Sequence, residues 1–239
     1  MKIEAVLFDL FDTLLLIEDY EIYYPPCLRK LYESLVKRGV NVSFEDFSLV
    51  YFEVRDMCYS ESRESLEEPH FNVRVSQTLQ KMGYNLNVSA PVVMEATMAF
   101  AEEFMRFVRL DTEAYDVLQK LHKKYKLGLV SNFAIPECGW KLLDKFCLRE
   151  FFDAVVISGE VNRRKPSPEI FERALKILDV EASRAVFVGD TPDLDIIGPQ
   201  RVGMKTVFIK RRLIEEDTNV KPDRVIIHLS ELLPVLEDC

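Results

Sequence analysis

Four short stretches of the chain put oxygen-bearing or cationic side chains directly after apolar runs. Asp9, Asp12 and Thr13 follow AVLF, in the segment DLFDT (9–13). Ser131 and Asn132 follow LGLV, and Arg163, Arg164 and Lys165 stand in the loop after AVVISG (154–159). Gly189 and Asp190, with Asp193 and Asp195 close behind, follow AVFV. One acid after a strand is an ordinary strand end. Several carboxylates, a hydroxyl and a lysine converging on one edge make a place for a hard cation and an oxyanion, because clustered carboxylates repel one another until a cation joins them. Mg²⁺, held by one or two carboxylates and a substrate phosphate, suits that chemistry.

Convergence requires the runs to be neighbouring strands. AVLFD (5–9), LGLVSN (127–132), AVVISG (154–159), AVFVGD (185–190), TVFIK (206–210) and VIIH (225–228) are short, β-branched and almost continuously apolar. That is the pattern of parallel strands buried on both faces. Helical segments separate them. In SPEIFERALKILDV (167–180), Ser167 reads as N-cap and Pro168 as the first helical residue. In DTEAYDVLQKLHKKY (111–125), Ala114, Val117, Leu118, Leu121 and Tyr125 form one apolar stripe. Alternation of this kind predicts a doubly wound α/β sheet, in which ligands bind beyond the carboxyl ends of the strands.

Residues 17–108 break the alternation, with helical patterns and no strand pattern. Ser43 opens one helix reaching the low 60s, Pro69 to Met82 forms another, and Ser89 with Pro91 begins a third running to Met105. The chain therefore divides into an α/β core, 1–16 with 109–239, and a helical cap, 17–108, inserted above the edge where Asp9 emerges. His70, Arg63 and Arg74 belong to the insert and could face a substrate.

The net charge of −9 argues against nucleic-acid binding, which rests on neutralising phosphates with Lys and Arg. No signal-peptide pattern and no run of eighteen apolar residues is present. The five cysteines are odd in number and form no CxxC pair, as expected of free thiols in a cytoplasmic protein.

Four motifs in this order, FDLFDTLL (8–15), VSNF (130–133), KPSPEIF (165–171) and VGDTPDLDIIGPQRVGMKTVFI (188–209), resemble the haloacid dehalogenase superfamily. Within it, the chain is similar to the subgroup with a helical cap after the first strand. The resemblance implies a Rossmann-like core and a phosphatase acting on a small phosphate ester, as monomer or homodimer. It makes Asp9 the nucleophile that forms an aspartyl-phosphate, with Thr13 steadying the turn. Ser131, Asn132 and Lys165 would hold the phosphoryl group. Asp9, the backbone carbonyl of Phe11, Asp190 and Asp195 would hold Mg²⁺, with Asp193 the competitor to Asp195.

The sequence departs from that pattern at Phe11, where family phosphatases carry a second Asp as general acid and base. General acid–base catalysis is typically worth about 10²–10⁴-fold, so the expectation is a slow enzyme. Asp12 is the nearest replacement, although capping the next helix is its more ordinary role. Two rival readings follow from Phe11. One is a homologue with weak catalysis and a binding or regulatory role. The other is a metal-independent 2-haloacid dehalogenase, a group that has an aromatic residue at this position but lacks the acid that Asp190 supplies here.

Overall fold

The computed structural model of the protein describes residues 2–211 and 221–237. In chain order the elements are β1 (Ala5–Phe8), β2 (Leu15–Ile17), α1 (Tyr20–Lys37), α2 (Phe44–Ser65), α3 (Asn72–Lys81), α4 (Pro91–Phe104), β3 (Val108–Leu110), α5 (Ala114–Leu121) and β4 (Lys126–Ser131). There follow α6 (Pro136–Lys145), β5 (Ala154–Ile157), α7 (Ser158–Val161), α8 (Pro168–Leu178), β6 (Ala185–Gly189), α9 (Gly198–Arg201), β7 (Lys205–Ile209), β8 (Arg224–Ile226) and α10 (Leu232–Glu237).

Six strands make one sheet in the order β5-β4-β1-β6-β7-β8, and every pairing is parallel. β1 shows why its sequence is continuously apolar. Val6 and Phe8 belong to one buried cluster and Ala5 and Leu7 to another, so both faces of the strand are covered. Phe8 pairs with Leu129 of β4 on one side and Val188 of β6 on the other. This register brings the residues that follow these three strands to one edge, where the chain order switches direction across β1.

The stretch between β2 and β3 is helical, as its patterning implies. Ser43 caps α2, its Oγ accepting the N–H of Asp46 at 3.0 Å. Three expectations need correction. Ser89 does not open α4; the helix starts at Pro91 after Ala90, and Ser89 instead donates its N–H to the Asn87 side chain. Ser167 precedes α8 as expected, but its hydroxyl makes no capping bond. The insertion is also not free of strand: β2 and β3 pair antiparallel, Leu15 with Leu110 and Ile17 with Val108. Three residues per strand are too few to show a period of two, so no strand pattern marks them in the sequence. The boundaries expected at 16/17 and 108/109 both fall in this ribbon.

Among the described residues, no helix is long and apolar enough to cross a membrane.

Candidate active site

Asp9 leaves β1 at the centre of the sheet, and its N–H donates to the Val188 carbonyl of β6 at 2.9 Å. Lys165, from the loop before α8, reaches in from the side with its side chain only 2% exposed. Its Nζ donates to Asp9 Oδ1 at 2.5 Å and to Asp195 Oδ1 at 2.7 Å. A buried ammonium and two buried carboxylates hold one another in place, and each is costly to bury without the others.

Asp195 comes from a π-helical turn, Pro192–Ile197, that folds back over the end of β6. Its second oxygen accepts the N–H of Thr191 at 2.9 Å. The turn can approach so closely because residue 189 is glycine; a Cβ there would collide with the Asp195 carboxyl group. Asp193 stands exposed on the same turn, so Asp195 is the acid that faces inward.

Asp9, Asp190 and Asp195 each place one carboxyl oxygen within 4.8 Å of the others. Burial raises the Asp190 carboxyl to about 8, and repulsion from Asp9 and Asp195 pushes the same way. Burial also raises Asp9, to about 6, against the lowering effect of Lys165. An oxygen cluster whose protons are held this tightly suits a hard divalent cation, which would stabilise the charged forms. Both oxygens of Asp195 already have donors, so this residue serves first as the anchor of Lys165.

Ser131 ends β4 beside this group. Its Oγ and Thr13 Oγ1 are buried and have no hydrogen-bond partner among the described residues. Buried hydroxyls are nearly always paired, so an orphaned Ser131 Oγ at the end of the strand next to β1 fits an incoming oxyanion. The Asn132 side chain is engaged differently. Its Oδ1 accepts the Lys165 N–H at 2.7 Å and its Nδ2 donates to the Lys165 carbonyl at 3.0 Å. This two-bond clamp fixes the backbone from which Lys165 extends. Of the three consecutive basic residues only Lys165 enters. Arg163 pairs with Glu67 and Glu169, and Arg164 with Glu68.

The Asp9 turn is not steadied by the Thr13 hydroxyl. The Leu10 carbonyl accepts from Leu14 and Leu15 at 3.0 and 2.8 Å, and the Asp12 N–H donates to the Leu15 carbonyl at 2.6 Å. Asp12 has a φ of +54°, a left-handed conformation that Asp tolerates better than most residues, and its Oδ1 accepts from Ile17 N at 3.3 Å. Asp12 thus takes part in the turn, and its charge also bears on Asp190. Arg211, unsuspected from the sequence, braces it further: Nη2 donates to the Thr13 carbonyl at 2.9 Å and pairs with Asp111 Oδ2 at 2.8 Å.

Phe11 turns its ring away from the acids. It packs edge-on against Phe133 after β4, centroids 4.8 Å apart, and against Phe104 of α4 at 5.8 Å. Those rings form one wall of a cavity of about 310 Å³ between the sheet edge and the inserted helices. Arg74 lines the same cavity, whereas Arg63 is exposed and His70 binds Glu137 at 3.0 Å.

An acid-and-lysine cluster beyond the central strands of a parallel sheet, with an aromatic cavity opening beside it, defines an α/β hydrolase of the kind built around a strand-end aspartate. The chain belongs to the haloacid dehalogenase-like hydrolase family, which matches residues 3–203. It is 30% identical to the glyceraldehyde 3-phosphate phosphatase of Pyrococcus furiosus, over 99% of this chain and 94% of that protein. Among solved structures it resembles a 2-haloacid dehalogenase from Pseudomonas syringae, with TM-score 0.76, 25% identity and 99% of each chain covered. It also resembles a HAD phosphatase from Thermococcus onnurineus, with TM-score 0.66, 27% identity and 98% of each chain covered.

Proposed function

We propose that the protein is a Mg²⁺-dependent phosphatase of a small phosphorylated metabolite, working through an aspartyl-phosphate on Asp9. The observation that carries this reading is the Asp9–Lys165–Asp195 ion triad with Asp190 beside it. An Asp9 carboxylate oxygen attacks phosphorus, the bond to the ester oxygen breaks, and its electron pair leaves with that oxygen. Lys165 and the Ser131 hydroxyl stabilise the transferring phosphoryl oxygens. Water then attacks the same phosphorus, releasing inorganic phosphate and restoring Asp9.

Asp9, Asp190, Asp195 and the Phe11 carbonyl are the groups proposed to hold Mg²⁺, which when bound supplies charge neutralisation at the phosphoryl group. Phe11 has no proton to give, so the departing oxygen must take one from solvent, and the enzyme is slow with leaving groups that need protonation. Residues 17–108 are proposed to act as a cap that excludes bulk water from the sheet edge. The likeness to a phosphatase of a small sugar phosphate supports a metabolite as substrate, and a cytoplasmic location belongs to the same proposal.

Phe11 and the likeness to a 2-haloacid dehalogenase favour halide displacement as the second reading. A carbon–halogen bond leaves without a metal, and the acid cluster at Asp190 then has no function. A panel of phosphomonoesters assayed with Mg²⁺ and with EDTA decides between them. Phosphate release that EDTA abolishes is the expected result. No release from any ester, or halide release from 2-chloropropionate that persists in EDTA, would overturn the phosphatase reading.

A further inference from the structure

The cavity beside the acid cluster carries a charge that the phosphoryl chemistry does not use. Its ionisable lining residues, tyrosines aside, are Glu68, Arg74 and Arg164. Glu68 accepts the ion pair of Arg164, with Nε 3.4 Å from Oε2. That leaves Arg74, which is 7% exposed and makes no ion pair among the described residues. Its guanidinium lies over the rings of Tyr59 and Phe71, 4.7 and 4.8 Å from their centroids. Nη1 donates to the Tyr24 hydroxyl at 3.5 Å, the Tyr51 hydroxyl and the Cys58 thiol are further neutral partners, and Nε has no acceptor. The Glu68 carboxylate also faces Arg74, so two guanidiniums share one carboxylate and the cavity keeps one net positive charge, on a chain whose overall charge is −9.

The rest of the wall is mostly aromatic, with Ile17, Ala134 and Ile135 adding apolar surface and Asn132 an amide that Lys165 already engages. Phe11, Phe104 and Phe133 close the side next to the Asp9 turn, and Tyr23 packs edge-on against Phe104 at 5.3 Å. Hydroxyl groups of a polyol laid against the three phenylalanines would lose water without finding partners. A flat apolar body meets no such cost and gains ring contacts. A guanidinium prefers a planar carboxylate, which it can bind through two parallel hydrogen bonds.

We propose that this cavity binds the leaving-group half of the substrate, that this half is a flat apolar group bearing its own carboxylate, and that Arg74 is the specificity residue reading that carboxylate. The inference rests on the phosphatase reading and narrows it to a substrate class, an aryl-like phosphate ester with a second anionic end. Phe11 acquires a positive role in this arrangement: it is cavity wall, and it works best with a phenol-like oxygen that departs without being protonated.

Phenyl phosphate and its 3- and 4-carboxyphenyl analogues test it, because they differ only in the carboxylate. In the full-length enzyme with Mg²⁺, at least one carboxylated ester should be preferred over phenyl phosphate in kcat/KM by about tenfold or more. The preference should collapse toward unity in Arg74→Met and be partly kept in Arg74→Lys. Comparing the ratio between esters across variants cancels both general damage to the site and the difference in leaving-group acidity. Equal use of all three esters by the wild type, or a preference that survives in Arg74→Met, overturns the proposal. If none of the esters is hydrolysed, the phosphatase reading fails separately. Calorimetric titration with 4-(phosphonomethyl)benzoate and benzylphosphonate then reads the cavity without turnover. Tighter binding of the carboxylated analogue, lost in Arg74→Met, supports the assignment; equal binding or none overturns it.

Discussion

At the ends of β1, β4 and β6, four ionisable side chains interlock within a few ångströms, with Lys165 only 2% exposed between Asp9 and Asp195. A short step away, across Phe11, the cavity is walled by phenylalanine and tyrosine rings, and its charge without an ion-pair partner among the described residues is Arg74. Under the proposed function, the first region is where phosphorus chemistry takes place. The second region is the one proposed to discriminate by shape and charge, and its one carboxylate, Glu68, is paired with Arg164. Phe11 stands on the border, with its ring in the wall of the second region. The two regions should therefore fail in different ways when altered.

The largest separation comes from Lys165→Met. Removing the ammonium leaves Asp9 and Asp195 buried without a cation, a loss of about 3–5 kcal/mol in stability. Turnover should fall by on the order of 10²–10³-fold. Chemical denaturation and phosphate release measure the two losses, and full stability with lost turnover would show that the triad is not structural. Phe11→Asp acts in the opposite direction. It removes two ring contacts, each worth about 0.5–1.5 kcal/mol beyond area burial, yet restores the missing acid. Turnover of alkyl phosphates should rise roughly tens-fold, toward the lower end of what general acid catalysis gives. Across a series of aryl phosphates, the dependence of rate on leaving-group acidity should be steep in the wild type and flatter in Phe11→Asp. No gain would mean that the rest of the site is not competent for ester hydrolysis.

A third effect is visible without turnover. The Asp9 and Asp190 carboxyls are raised to about 6 and about 8, so the folded protein binds their protons more tightly than the unfolded chain does. Their contribution to stability is complete below about pH 4 and is lost as pH rises through the folded values. In EDTA the protein should thus lose on the order of 1–2 kcal/mol per pH unit between pH 6 and 8, read as a falling melting temperature. Added Mg²⁺ should raise the melting temperature more at pH 8 than at pH 6, because protons compete with the metal. A melting temperature in EDTA that climbs over this interval would count against the buried acid cluster. The smallest change is expected for Asp12→Asn. The amide oxygen can accept the same bond from Ile17 and tolerates the same backbone, so turnover should stay within about twofold. A fall of a hundredfold would instead give Asp12 an acid–base role.

The contrast between the regions also separates what the sequence discloses from what it hides. Asp9, Ser131 and Asp190 each stand at the end of an apolar run, so their sharing one sheet edge follows from parallel pairing, whereas Lys165 comes from the loop beyond α7 and is brought in by the Asn132 clamp. Choosing Asp195 over Asp193 needs the family pattern, and the physical reason, a π-helical turn folded against Gly189, is visible only in three dimensions. Arg211 lies 198 positions from the Thr13 carbonyl it binds, with no local pattern to mark it. Arg74 is one of several charged residues in the insert. Its burial against Tyr59 and Phe71 depends on how α2 and α3 pack, which propensity does not encode. Thr13 shows the reverse case, a residue correctly placed in the turn whose hydroxyl does not make the bonds that steady it.

The central claim is that phosphoryl transfer passes through Asp9. Acid-quenching the protein during turnover of a hydrolysed ester with Mg²⁺, followed by peptide mapping, tests it most directly. The account predicts a hydroxylamine-labile phosphoryl group on the peptide carrying Asp9, absent from Asp9→Asn, whose turnover falls by on the order of 10³-fold or more. Undiminished phosphate release by Asp9→Asn, with that peptide unmodified in the wild type, would contradict it.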